Sequence, residues 1–172
     1  MTLLGFKFGH RPNLDAHMEL VWRKFNVRMW VIRHLKQSGV PDKDIAAVFA
    51  STIRPAIEYA CPVYSPMLTK SQAEDLEKMQ RRVLKVIYGH KTSYRDALSK
   101  AGIPTMSDRR ASICERFANK TSASPQWSRW FPLNPEQNYN LRRKQKFKEF
   151  HANTERLYRS PLYTMRRSLN KE

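Results

Sequence analysis

The sequence predicts a mainly α fold: a small bundle of about five helices, with a short N-terminal strand and a basic, partly helical C-terminal extension. Three observations carry that prediction. Apolar residues recur at helical spacing through most of residues 13–122. Helix-starting and helix-stopping residues flank the periodic runs, and only 5 glycines occur in 172 residues, so loops built on glycine are few. Hydrophobic residues make up 41% and aromatic residues 11% of the chain, enough to build a core instead of staying disordered.

Residues 1–12 form the first region. Leu3-Leu4-Gly5-Phe6-Lys7-Phe8 reads as a short apolar strand, and a polar turn ends at Pro12. A lone strand does not hold by itself, and no other segment of the chain has the pattern of its partner. Residues 13–122 form the helical region. Asn13 is the expected N-cap of a first helix whose Leu14, Met18, Val21, Trp22, Phe25, Met29 and Ile32 share one face. Val27, Trp30 and Val31 fall outside that face, which predicts apolar neighbours on two sides, and Ser38-Gly39 ends the helix.

Pro41-Asp42 opens a second helix carrying Ile45, Val48, Phe49, Thr52 and Ile53, which Pro55 should kink or break. The stretch from Cys61 to Pro66 reads as a loop, because a residue before proline avoids the α region. Thr69 and Gln72 have the spacing of a capping box and start a third helix, with Leu76, Met79, Val83, Val86 and Ile87 inward and Gly89 closing it. A fourth helix follows Ser93 and stops at Gly102. A fifth spans about 107–120 around Ile113, Cys114 and Phe117.

Residues 123–172 form the third region. Trp127, Trp130 and Phe131 sit between Pro125 and Pro132 and read as an aromatic plug for the end of the bundle. Beyond Leu141 the chain is strongly basic, with Phe147, Phe150, Leu157 and Tyr158 as apolar anchors.

Charge narrows the function. Lys and Arg total 32 against 15 Asp and Glu, for a formal +17, and such a field favours polyanions, nucleic acid ahead of an anionic membrane surface. Residues 1–66 hold 9 basic and 5 acidic side chains (+4), residues 67–122 hold 12 and 6 (+6), and residues 123–172 hold 11 and 4 (+7). The excess therefore sits on the helices as well as on the tail. In the third helix Lys78, Arg81, Arg82 and Lys85 recur at i, i+3, i+4, i+7 and make a stripe turned away from Leu76, Val83 and Ile87. Glu74 and Glu77 are placed to offset it through i,i+4 pairs with Lys78 and Arg81. Such a stripe is either a solvated helix face or a phosphate-contacting surface. Arg109, Arg110, Arg142, Arg143 and Lys144 are accessory candidates for the same contact, and Arg54 beside Pro55 reads as structural.

Other chemistries are absent from the sequence. No run approaches the about 20 apolar residues that span a bilayer. Residues 1–8 are too short and interrupted for a signal peptide. Cys61 and Cys114 lack a partner spacing and read as buried reduced thiols. The five histidines never pair at a metal-ligand spacing, and Asp42 and Asp44 read as helix caps, so neither a metal nor a cofactor is expected. No phosphate loop, dinucleotide fingerprint or nucleophile elbow occurs, and no catalytic residue is expected.

Three blocks resemble one family. The first is Leu4-Gly5-Phe6-Lys7-Phe8 with Asn13-Leu14-Asp15-Ala16-His17. The second is Ile53-Arg54-Pro55-Ala56-Ile57-Glu58-Tyr59-Ala60-Cys61-Pro62-Val63-Tyr64, continuing through Leu68–Gln72 and Leu76–Ile87. The third is Leu98–Pro104 with Arg109-Arg110, Cys114–Ala118 and Trp130-Phe131-Pro132. Together with Arg159-Ser160-Pro161-Leu162 they resemble the thumb and C-terminal region of a LINE-type (Jockey-like, non-LTR) retrotransposon reverse transcriptase.

That resemblance implies a non-catalytic piece of an RNA-directed DNA polymerase. Residues 1–12 would be a remnant of the palm's primer-grip strand, pairing with an upstream palm and fingers domain. Residues 13–122 would be the thumb, lying on RNA, DNA or an RNA–DNA template–primer duplex. The palm's metal-binding aspartates have no counterpart here, so no polymerase activity is expected of the chain alone. The cytoplasm or nucleus is the natural compartment for such a partner. Rival readings are an inert retroelement relic, a small helical interaction module without a nucleic-acid role, and a basic ribosome- or chromatin-associated protein.

Overall fold

Helical periodicity becomes helix through most of the chain. The computed structural model describes residues 2–3, 6–7, 14–135, 145–148 and 151–170. Two short strands, β1 (Thr2–Leu3) and β2 (Phe6–Lys7), pair antiparallel with Leu3 opposite Phe6. The single unpartnered strand expected from the sequence is thus two pieces that pair with each other. Two residues separate them, the shortest hairpin spacing. Phe6 is buried and stacks on His17 with ring centroids 4.1 Å apart.

Helix α1 (Asp15–Gln37) buries His17, Met18, Val21, Phe25, Met29 and Ile32. Its N-cap is Leu14, while the expected Asn13 lies outside the described residues. Gly39 follows the helix at φ 75°, a left-handed stop that only glycine adopts without strain. Val27, Trp30 and Val31 do not meet a second apolar neighbour as expected. They are exposed, Trp30 by 66%, and Trp30 stacks on His34 of the next turn.

Helix α2 (Asp42–Val48) runs into a π turn (Phe49–Ile53) and then α3 (Arg54–Glu58). Pro55 cannot donate to a carbonyl four residues back, and the widened turn just before it takes up the mismatch. The hydroxyls of Ser51 and Thr52 donate to the carbonyls of Ala47 and Val48 within the same stretch, at 2.9 and 2.5 Å. The segment from Cys61 to Pro66, expected as a loop, is α4 (Cys61–Tyr64) followed by a 3₁₀ turn (Ser65–Met67). Prolines at the start of such single turns need no donor, so they fit where a longer helix would exclude them.

Helix α5 (Lys70–Tyr88) starts at the expected capping box. The Gln72 N–H donates to the Thr69 hydroxyl at 3.2 Å, and the Thr69 N–H donates to Gln72 Oε1 at 3.1 Å. Helix α6 (Tyr94–Ala101) is capped by Ser93 and ended by left-handed Gly102. Helix α7 spans Met106–Ser122. A 3₁₀ segment (Pro125–Trp130) and two further helices, α8 (Glu155–Tyr158) and α9 (Pro161–Leu169), complete the described residues.

The chain forms two compact units. The first comprises residues 1–60 and 68–109, the second residues 61–67 and 110–172. In the first, α5 packs on α1, α2 and α6 around Phe25, Met29, Ile32, Ile45, Phe49, Leu76, Met79, Val83 and Ile87. In the second, Ala118, Phe131, Phe147 and Leu169 make a smaller core. A one-pair bridge between Leu133 and Phe147 holds two of its segments together.

Several expectations for the second unit change. Trp127 and Trp130 are not a buried plug but lie 45% and 42% exposed, and Phe131 takes the core position. Phe117 is 44% exposed because its neighbour Ala118, one 100° step round α7, faces inward instead. Leu157 and Tyr158 are exposed as well, and Phe150 lies outside the described residues.

Candidate nucleic-acid interface

The predicted cations among the described residues fall into three environments. Lys78, Arg82 and Lys85 are exposed on the outer face of α5. Lys78 Nζ lies 3.1 Å from Asp75 Oδ1, and that hydrogen bond raises its pKa above the ordinary lysine value. Arg82 Nη1 donates to Asn26 Oδ1 on α1 at 3.1 Å. Both contacts are at the surface, where solvent screens the Lys78–Asp75 pair and both partners exchange readily for an anion.

Arg81 turns inward. It is half-buried, its guanidinium 4.9 Å from the centre of the Tyr94 ring. The expected pair from Glu77 to Arg81 is absent among the described residues because Glu77 faces the core. The Glu77 carboxylate accepts the Tyr94 hydroxyl and, at 3.3 Å, the Met106 N–H. Gln80 completes this buried set by donating to the Tyr94 oxygen at 3.1 Å and to the Pro104 carbonyl at 2.9 Å. Burial and the Glu77 bond hold the Tyr94 phenol well above its ordinary pKa, so it stays a donor.

Arg109 is committed to structure. Its Nε lies 3.1 Å from Glu58 Oε1, an oxygen that also sits 2.9 Å from Arg54 Nε. By distance the Arg54 contact is an ion pair, though its N–H aims away from that oxygen. Arg54 also donates through Nη2 to the Pro104 carbonyl at 3.2 Å, which matches its expected structural role. Glu58, whose side chain is only 8% exposed, therefore neutralises two arginines. Arg110, in the second unit, is buried beside Cys114 and presents no surface to a nucleic acid. Arg142, Arg143 and Lys144 lie outside the described residues.

The sequence reading missed cations on α1. By the 100° step, the face that carries Asn26 also carries Arg23, Trp30 and Arg33, and all three are exposed. Arg82 bridges to that face. The basic surface of the first unit is thus built by two packed helices, with an exposed tryptophan among the charges. The overlooked signal is the placing of Arg23 and Arg33 at i−3 and i+7 of Asn26, while attention stays on α1's apolar stripe.

Among the described residues no three His, Cys, Asp or Glu side chains gather to hold a metal ion. No helix among them is long and apolar enough to cross a membrane. No protein-family model, curated protein or solved structure matches the chain.

Proposed function

We infer that the chain holds nucleic acid by its phosphate backbone, without catalysing a reaction on it, as the thumb and C-terminal part of a retroelement reverse transcriptase would. One observation supports this most: Lys78, Arg82 and Lys85 stand exposed on α5 while Arg82 reaches the Asn26 face of α1, where Arg23 and Arg33 are also exposed. Like charges clustered at these spacings repel one another, and a polyanion relieves that repulsion while releasing condensed counterions. Trp30 adds a ring face on which an unpaired base can stack.

The ligand under this reading is RNA or an RNA–DNA duplex, held by its phosphates. Contacts to phosphate carry no sequence information, so affinity depends on salt and little on sequence. Fluorescence titration of the whole chain against labelled duplexes at several salt concentrations tests it. Log affinity should fall linearly with log salt, with a slope of about −4.5 for five phosphate contacts. A flat titration contradicts the reading.

A helical interaction module is the second reading. It is favoured by exposed Phe117, Trp127 and Trp130 around a cavity of about 720 Å³ in the second unit. Retained self-association or peptide capture with no duplex binding would favour it over the first.

A further inference from the structure

The second unit holds both cysteines of the chain, and its first described helix faces the start of its second. Cys61 on α4 is fully buried, while Cys114 on α7 is half-buried and lines a cavity of about 500 Å³. The two are interlocked through the backbone. The Cys114 thiol lies 4.0 Å from the Cys61 carbonyl, and the Cys61 thiol lies 4.0 Å from the Arg110 carbonyl, one turn before Cys114. Ser65 of the 3₁₀ turn lines the same cavity as Cys114.

Arg110 supplies the charge. It is buried, and its Nη1 finds no hydrogen-bond acceptor among the described residues. A buried guanidinium nitrogen left without an acceptor costs free energy that a nearby anion recovers. The sulfur of Cys114 is the group beside it that can become one. The side chains of Cys61 and Ser65, with this cation, outweigh the opposing cost of burial and lower the Cys114 thiol to about 7. The other groups facing the cavity do not cancel the effect. Glu115 is its one carboxylate among the described residues, and the α9 wall contributes uncharged Thr164, Met165 and Ser168.

We propose that Cys114 is a thiolate modification site that takes an oxygen from a peroxide, with Cys61 as the resolving thiol that closes a Cys61–Cys114 disulfide. In the first step the Cys114 thiolate attacks one peroxide oxygen. An S–O bond forms, the O–O bond breaks, and the departing hydroxide takes a proton to become water. In the second step the Cys61 sulfur attacks the Cys114 sulfenic acid. An S–S bond forms, the S–O bond breaks, and a second water leaves with the Cys61 proton. Two thiols are oxidised and one peroxide is reduced to two waters. The product ties α4 to α7 covalently, where hydrogen bonds at 4.0 Å hold them in the reduced chain.

This site is separate from the cationic surface of the first unit, so its test needs no nucleic acid. The purified, reduced full chain is treated with hydrogen peroxide, free thiols are counted, and peptides are mapped without reduction. Both thiols should disappear together, the intact mass should fall by two hydrogens, and one linked Cys61–Cys114 peptide should appear. Without peroxide, iodoacetamide should label Cys114 at least about tenfold faster than Cys61, half-maximally near pH 7. Arg110→Gln should raise that midpoint, and Cys61→Ser should leave a Cys114 sulfenic acid that dimedone traps. Survival of both thiols, crosslinks only between chains, or Cys61 labelled first in the unmodified protein would each overturn the proposal.

Discussion

Arg54 in the first compact unit and Arg166 in the second are both buried, and the two are handled in different ways. In the first unit Arg54 meets a carboxylate, Glu58, which also takes Arg109. In the second, Arg166 donates to backbone carbonyls. Its Nε donates to the Trp130 carbonyl at 2.7 Å, its Nη1 donates to the Lys148 carbonyl at 3.3 Å, and the guanidinium stands 5.9 Å from the Phe131 ring centre. Carboxylates are scarce in this chain, 15 against 32 cations. The first unit uses Glu58 and Glu77 in contacts between its elements, while Lys78 outside pairs with Asp75 at the surface. In the second, the carbonyls that accept from Arg166 give it hydrogen bonds without an opposing charge of their own.

The comparison breaks most visibly at Glu58. Glu58→Ala leaves buried Arg54 with one carbonyl acceptor and should cost the first unit about 3–5 kcal/mol in urea unfolding. Replacing the pair together, Arg54→Met with Glu58→Leu, should recover most of that loss. If the single change is as mild as the double, the ion pair is not what holds α3.

Next in size is Arg166→Met, which leaves the Trp130 and Lys148 carbonyls without their donor and should cost about 2 kcal/mol. Amide exchange should quicken in α7 and α9 and not in α1 or α5. The helix caps sharpen the contrast at a smaller scale. Thr69→Ala removes a two-way capping box and should cost about 1 kcal/mol. Ser160→Ala removes a single 3.4 Å bond from the Tyr163 N–H and should cost less, read by the same unfolding midpoints.

The smallest effect is a matter of sign. Burial first, and then the charge of Lys24, lower the pKa of His17 below its ordinary 6.5. His17 stays neutral in the fold while the unfolded chain takes a proton below about pH 6.5, so this stability is complete above that pH and lost as pH falls further. Urea midpoints measured from pH 7.5 down to 5.5 should decline, and His17→Phe should flatten the decline.

How much of this was legible in the sequence differs between the units for a physical reason. The first is built from long helices whose ends carry strong local signals. Thr69 with Gln72, Ser93, Gly39, Gly89 and Gly102 all stand where their chemistry suggests. The second has a core of Ala118, Phe131, Phe147 and Leu169, too widely separated in sequence for any period to connect them, and Arg166 carries no local mark of burial. For the candidate interface, spacing located the α5 stripe but not which cations were already engaged. Arg81, Arg109 and Arg110 turn inward through Tyr94, Glu58 and the Cys114 pocket, contacts made across elements. Arg23 and Arg33 join the surface only because α1 packs beside α5.

The claim that outward cations, not total charge, hold nucleic acid is tested most directly by the salt dependence of duplex binding in two variants. One removes Lys78, Arg82 and Lys85 as alanines, and the other removes Arg109 as Arg109→Gln. The triple variant should bind with a slope shallower by about 2–3 and keep its unfolding midpoint within about 0.5 kcal/mol, whereas Arg109→Gln should leave the slope unchanged. An unaltered slope in the triple variant would contradict the account.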